Sequence, residues 1–566
     1  MKKTRLFIIY LIYSAFPVYS LQSQNLNLVV HGSSNNETKT IDSLGYKKLF
    51  QNFILLESEV TLLKSKLEEI GYIDIKQIEI KKANDSTYNT KLRLGNKYNT
   101  IYIYYDEAII SKDVLELLTE TIFESYFTVN IKNVRSILSN INLQLTDKGY
   151  PFSSVMLSAL KKRADNRSLE ANLIVNLNTE RTIDKIIVKG YENFPKSYLK
   201  HYLKLNSKKI LNINSLRKKT NALSSLSFAN LTREPEVLFT QDSSSVYLYI
   251  EKRKSNTFDG FLGFGTNKTN SKLEFDGYLN LSLNNNLNYG ESFNLIYKSD
   301  ENEQKTFNAN VNAPYIFNTP IGVELDLNIF KKDSTFTTIN QSGSLFYQIN
   351  NQQTIYAGIE SVKSNNLTQA NTSLNIDDYN STFYNVRYQL LKPFYNNLMF
   401  TSSFNLDIKL GFGNRNHKEI NVKQTQYQVN TYKLFKLNSK NYIFFRINLR
   451  GIDSDNYFTN ELLRFGGINS IRGFEENSLL ATLYSFANFE YRYHLSQSIY
   501  VHTITDGAYL RNNQENTTNS LYGFGFGIGL LTKAGLLKLN YANGKTKGQK
   551  ASFSNSKIHI SLSAKF

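Results

Sequence analysis

Arg472 stands in the stretch Gly466 to Phe474, GGINSIRGF, a glycine-flanked loop between segments that alternate apolar and polar residues. A guanidinium offers a planar fork of N–H donors that fits carboxylates in a way a lysine does not copy, so the chemistry this residue suggests is ion pairing. Other chemistry finds little support. The six histidines, His31, His201, His417, His494, His502 and His559, are scattered with no ligand spacing of the H-E-x-x-H kind. His494 and His502 fit a polar lining better than a metal site. The chain has no cysteine, which excludes a thiolate nucleophile, a thiolate metal site and a disulfide. Gly523 to Gly529, GFGFGIG, is glycine at period two within a strand pattern, whereas a phosphate-binding loop needs a helix after it. With no G-x-S-x-G and no convincing acid pair, we expect no enzyme, no cofactor and no metal.

The elements that must position Arg472 belong to a chain of 566 residues, too long for one hydrophobic core. Lys2, Lys3 and Arg5 precede an apolar run from Leu6 to Phe16 and a small-residue exit, which reads as a signal peptide over 1–23 and predicts export. No later segment holds the roughly 18 apolar residues of a membrane helix. If the protein spans a membrane, a β-barrel is the remaining solution, because lipid leaves no backbone group unpaired. The net charge of +18 first suggests nucleic acid, but export points instead to anionic lipid headgroups, and no nucleic-acid partner is expected. Over 181–253, fourteen Lys and Arg stand against six Asp and Glu.

Two halves with different periods follow. Up to Arg253, helix and strand mix in a recurring order of strand, helix, helix, strand, strand. The clearest copy opens at TIDKIIVKGYENFP, with a strand from Ile183 to Val188, a turn at Gly190, Pro195 at a helix start, a helix over Ile213 to Leu226 and strands near 229–239 and 246–250. The same order lies over 98–178, with helices near 111–118 and 132–149. It lies again over 26–94, with a helix at 57–70. The reading is three tandem α+β repeats, 24–97, 98–180 and 181–253. After Lys254 the helical period vanishes. LMFTSSFNLDIKLGFG puts Phe400, Phe404, Leu406, Ile408, Leu410 and Phe412 on one face and Asn405, Asp407 and Lys409 on the other. About 16 such segments fit in 254–566, roughly 20 residues for each strand with its turn, and the polar faces are rich in Asn, Ser and Gly, as in an outer-membrane barrel. Pro314, Pro320 and Pro393 fall between segments, where a missing N–H breaks no ladder.

At this point the residues carry a resemblance. RFGGINSIRGFEENSL resembles the sixth extracellular loop of the BamA/TamA family of outer-membrane assembly factors, and VKGYENFP resembles their POTRA repeats. PYIFNTPIGVEL, TKAGLLKLNYANG and the terminal KIHISLSAKF are similar to a turn, the penultimate strand and the closing strand of that family. The resemblance implies that the loop motif of Gly466, Gly467, Ile471, Arg472, Gly473 and Phe474 folds back into the barrel. Arg472 would then pair with Glu490 and Asp506 on the inner wall. Alternation independently puts Glu490 on the face of Asn488, Arg492 and His494, opposite Ala487, Phe489 and Tyr491. It further implies a closing-strand signal at Ile558, Ile560, Leu562, Ala564 and Phe566 and a seam against the first strand, where Gly260, Gly263 and Gly265 pack little.

The expected architecture is therefore α+β tandem POTRA repeats followed by an all-β transmembrane barrel of about 16 antiparallel strands. The function implied is insertion, or insertion and translocation, of β-barrel clients through a lateral seam. Implied partners are unfolded outer-membrane clients or secreted proteins, outer-membrane lipids, and accessory periplasmic or inner-membrane proteins reached through the repeats. The place implied is the outer membrane of a Gram-negative-type bacterium with the repeats in the periplasm. A two-partner secretion pore, a class that usually carries two repeats and a plug helix, is the alternative, and a passive diffusion porin is the reading from another class.

Overall fold

The computed structural model describes residues 25–563 apart from 117, 120, 166, 267–272, 300–303, 369–374, 395–398, 401, 533–534 and 549–555. The predicted signal peptide thus lies outside the described residues. The chain divides into two compact parts. The first comprises residues up to 181 with 210–213, and the second comprises 182–209 with 214 onward.

The first part holds two small α/β units. In the first unit, strand Leu26–Gly32 runs parallel to Thr87–Arg93, and helix Phe53–Glu69 lays Leu56, Val60, Leu63 and Leu67 against them. Those positions recur at helical spacing, which is why the helix was legible. Helix Asn35–Leu44 was not predicted, because Ile41 is its one buried residue. Its start nonetheless follows a capping pattern: the Ser34 hydroxyl accepts the Glu37 N–H, while the Glu37 carboxylate accepts the N–H groups of Ser33 and Leu94. In the second unit, Thr100–Tyr104 lies between Tyr126–Asn130 and Ser168–Asn176, and Ser154–Lys162 forms the far edge. Helix Val134–Asp147 buries Ile137, Ile141 and Leu145 on this sheet. The strand Tyr126–Asn130 departs from the predicted order, which had nothing between the helices. Its five residues are too short for period two to stand out.

The second part begins with a third α/β unit. Lys185–Gly190 pairs in parallel with Ser244–Lys252, which also pairs with Ala229–Leu231 and Glu236–Phe239. The helix predicted from Pro195 is a single wide turn, Tyr198–Tyr202, and the one predicted over Ile213 to Leu226 splits into Ile213–Thr220 and a tighter turn at Asn221–Ser225. Sixteen antiparallel strands follow, each paired with the next in chain order, from Thr257–Thr266 to Ser556–Ser563. Among the described residues no ladder joins the first strand to the sixteenth. Outward positions are apolar and exposed, such as Tyr384, Val386, Leu410, Phe412, Phe524, Phe526 and Ile528, while inward ones include buried polar residues such as Asn385, Asn448, Asn488 and Asp506 beside aromatic and apolar ones such as Tyr356, Phe486 and Leu510. A face of that kind needs lipid against it.

Two expectations about strand ends are corrected. Pro393 is the last residue of the eighth strand, Tyr379–Pro393, at a register shift that tolerates its missing N–H. Phe400 does not share the outward face of the ninth strand, Ser402–His417. It precedes that strand and turns inward, 5.4 Å from the ring of Tyr500 and 4.8 Å from the Arg492 guanidinium. Alternation fails there because the strand has not begun.

The third α/β unit is fastened to two barrel turns. Tyr191 donates to Asn288 Oδ1 at 2.6 Å and accepts from Asn285 Nδ2 at 2.8 Å, while Tyr198 donates to the Gly290 carbonyl at 3.1 Å. The Tyr198 ring meets Tyr315 edge-on at 4.9 Å. Tyr315 belongs to PYIFNTPIGVEL, and Tyr198 stands three residues beyond VKGYENFP with its ring 6.4 Å from that motif's Phe194, so two motifs singled out separately in the sequence lie at one joint.

Candidate functional site: an arginine-locked loop in the barrel

Between the eleventh strand, Asn441–Ser454, and the twelfth, Leu483–His494, the chain leaves the sheet and returns through a neck of two short strands, Leu463–Phe465 and Leu479–Ala481. Gly466 and Gly467, with φ of 113° and 95°, turn the chain inward in a conformation that side-chain residues rarely adopt. The Gly466 N–H donates to Ser470 Oγ at 2.8 Å, and the Gly467 N–H donates to the Ile471 carbonyl at 3.2 Å. The wall holds this turn from outside: Asn488 Nδ2 donates to the Ser470 carbonyl at 2.7 Å and Arg446 Nη1 to that of Asn469 at 2.9 Å. Ile471 is fully buried with Phe465, Tyr484, Phe486 and Leu510, and Phe474 packs against the same cluster.

Arg472 is 3% exposed. Its Nε and Nη2 donate to the two oxygens of Asp506 at 2.8 and 2.6 Å, its backbone N–H adds a third bond to Asp506 at 3.0 Å, and its Nη1 donates to Glu490 at 2.5 Å. Asp506 comes from the thirteenth strand, Ile499–Asn512, and Glu490 from the twelfth. The other oxygen of Glu490 accepts from Arg492 Nε and Nη2, both at 2.7 Å. Two guanidinium groups and two carboxylates thus form a buried, charge-balanced quartet. Arg492 is a member the sequence reading saw only as a neighbour on the lumen face. Its guanidinium rests 4.1 Å from the ring of Phe444, which shields its flat face as the quartet satisfies its edge. Removing one charge from such a set strands the others in a low-dielectric site, which costs more than the set's net worth.

Gly473, with φ of 91°, continues the tip. Of the seam residues, Gly260, Gly263 and Gly265 lie on the first strand opposite Leu279, Asp276 and Glu274 of the second. Ile558 and Ile560 point outward, and Leu562 pairs with Leu537 of the fifteenth strand, Gly535–Thr546. Ala564 and Phe566 lie outside the described residues. His502 is buried in the lumen wall and His494 sits among Phe400, Tyr442 and Tyr500. Among the described residues no cluster of three metal-ligating side chains occurs.

Sequence reasoning missed a third buried arginine. Arg415, 1% exposed on the ninth strand, donates to Glu461 and Asn456 of the same loop, while Gln424 Nε2 donates to the other Glu461 oxygen at 2.5 Å. Its guanidinium lies over the ring of Phe458 at 4.4 Å. The signal was present, since Arg415 shares the inward face with Gly411 and Gly413, but its partner lies 46 residues on in a loop without periodicity. Arg415→Ala is expected to cost about 3–5 kcal/mol locally by stranding Glu461. Limited proteolysis of the purified protein in detergent should then cut within 455–462 while the folded barrel persists, and an unchanged digestion pattern would contradict that role.

No family model and no curated protein matches the chain. Solved structures do. CdiB from Escherichia coli is 13% identical, with 90% of this chain and 97% of that chain covered at a TM-score of 0.51. CdiB from Acinetobacter baumannii is 14% identical over 90% and 98% at 0.48. BamA from Haemophilus ducreyi lacking POTRA domains 1-3 is 15% identical over 81% and 97% at 0.49. The likeness to the Escherichia coli protein shows the fold: N-terminal α/β units followed by a sixteen-stranded antiparallel barrel.

Proposed function

We propose that the protein resides in the outer membrane with its α/β units in the periplasm, and that it inserts β-barrel clients through a seam between its first and last strands. The observation that carries this reading is the arginine-locked loop. A diffusion porin needs an open lumen, whereas here a loop enters the lumen and is bonded to its wall by a buried quartet. A lateral exit past lipid leaves that lock in place. The α/β units supply sheet edges for an arriving strand: the second ends on Ser154–Lys162, nine residues with Met156 and Leu160 exposed. Such an edge pairs with an extended chain by main-chain hydrogen bonds. A shift in register between Ser158 and Lys161 breaks up that edge, as natural edges often do to avoid indiscriminate pairing.

The second reading, a pore that exports one dedicated protein, is favoured by the likeness to CdiB, since secretion barrels share this architecture. Three α/β units instead of two weigh for the first reading. Depleting the protein and quantifying the whole outer-membrane proteome separates them. Broad loss of barrel proteins is the expected result, loss of a single secreted protein would favour export, and an unchanged profile would leave the porin.

A further inference from the structure

The loop tip does not stop at the arginine lock; it continues along the wall as far as the last strand. Arg472 engages the twelfth and thirteenth strands. A Cβ on Gly523 of the fourteenth strand, Thr517–Thr532, would collide with the Arg472 carbonyl, and one on Gly544 of the fifteenth would sit 2.6 Å from the Gly473 carbonyl oxygen. The bare wall at these two glycines is what lets the loop backbone lie flat on the sheet. Gly523 opens the GFGFGIG run, so this contact gives its first glycine a purpose that the strand pattern alone did not. On the sixteenth strand the Gly473 N–H donates to His559 Nε2 at 3.1 Å, and Lys557 Nζ donates to Glu475 Oε1 at 2.8 Å. Lys557 and His559 pair across the ladder with Ala542 and Asn540, which are buried on the lumen side, while Ile558 and Ile560 face outward.

We propose that this tip is a latch on the seam: Glu475 and the Gly473 amide hold the last strand through Lys557 and His559, so the loop and the strand that must move at a lateral opening are coupled. The latch rests on the insertase reading for its use but not for its existence. The sixteenth strand has one paired neighbour among the described residues, and the two loop contacts hold it from the lumen side. The Lys557–Glu475 pair is partly exposed, and a pair of that kind is weak enough to break during each cycle.

Hydrogen–deuterium exchange of 556–563 in the full-length protein in lipid nanodiscs tests the latch. Glu475→Lys and Lys557→Glu are each expected to speed exchange of this segment about two- to fivefold, the range for an exposed ion pair, and the double charge swap is expected to restore it. His559→Phe should act like the single variants, whereas His559→Gln, which keeps an acceptor near the Nε2 position, should not. Exchange at the wild-type rate in the single variants, or no restoration in the swap, would overturn the latch. Client insertion measured in the same variants addresses the other reading: faster exchange with altered insertion supports both, and faster exchange with unchanged insertion supports the latch while removing its use in opening.

Discussion

Replacing Arg472 with alanine should remove most of the folded protein from the outer membrane, and Arg472→Lys should recover only part of it. The alanine variant loses the three hydrogen bonds of the guanidinium and its charge, leaving Asp506 without a side-chain cation and Glu490 bonded to Arg492. Breaking a buried ion pair by removing one partner costs roughly 3–5 kcal/mol, a large share of the 5–15 kcal/mol that holds a typical domain together. Lysine keeps the charge but not the fork, so it can face Asp506 or Glu490 and not hold both in the present geometry. Heat-modifiable mobility on gels and complementation of a depletion strain read the two effects. Wild-type folding and growth for Arg472→Ala would show that the quartet is dispensable.

The route from sequence to this site was uneven for physical reasons. The barrel was legible because membrane strands must alternate, and period two survives over strands of 12 to 17 residues such as Leu483–His494 and Ile420–Lys436. Glu490 was legible as a lumen residue for the same reason, whereas Asp506, and the pairing of both with Arg472, rested on a resemblance. Arg492 was on the right face but gave no sign that it completes the quartet, because two residues i and i+2 on a strand usually share a face without bonding. The Arg415–Glu461 contact joins a strand to an irregular loop, where no local pattern exists to read. Helix Asn35–Leu44 and strand Tyr126–Asn130 escaped through weak or short apolar patterns, and Phe400 was misplaced because alternation was extended past the start of its strand.

Locking the seam should abolish client insertion while leaving the barrel folded. The first strand contributes Gly260, Gly263 and Gly265, which add little side-chain packing to any pairing there, and the sixteenth strand is held from the lumen by the loop tip. An insertase of the proposed kind needs these two strands to part, whereas a lumen-only pore or a porin does not. The absence of native cysteine makes an engineered disulfide unambiguous. Cysteines at Leu262, Gly263 and Phe264, paired in turn with cysteines at Leu562, Ser563 and Ala564, cover the neighbouring registers, and a bridge forms only where Cβ atoms come within about 4.5 Å. The decisive measurement is client assembly by a crosslinked, still heat-modifiable pair before and after reductant. Assembly is expected to fail in the oxidised protein and to return on reduction; equal assembly in both states, with the crosslink confirmed on a gel, would contradict insertion through the seam.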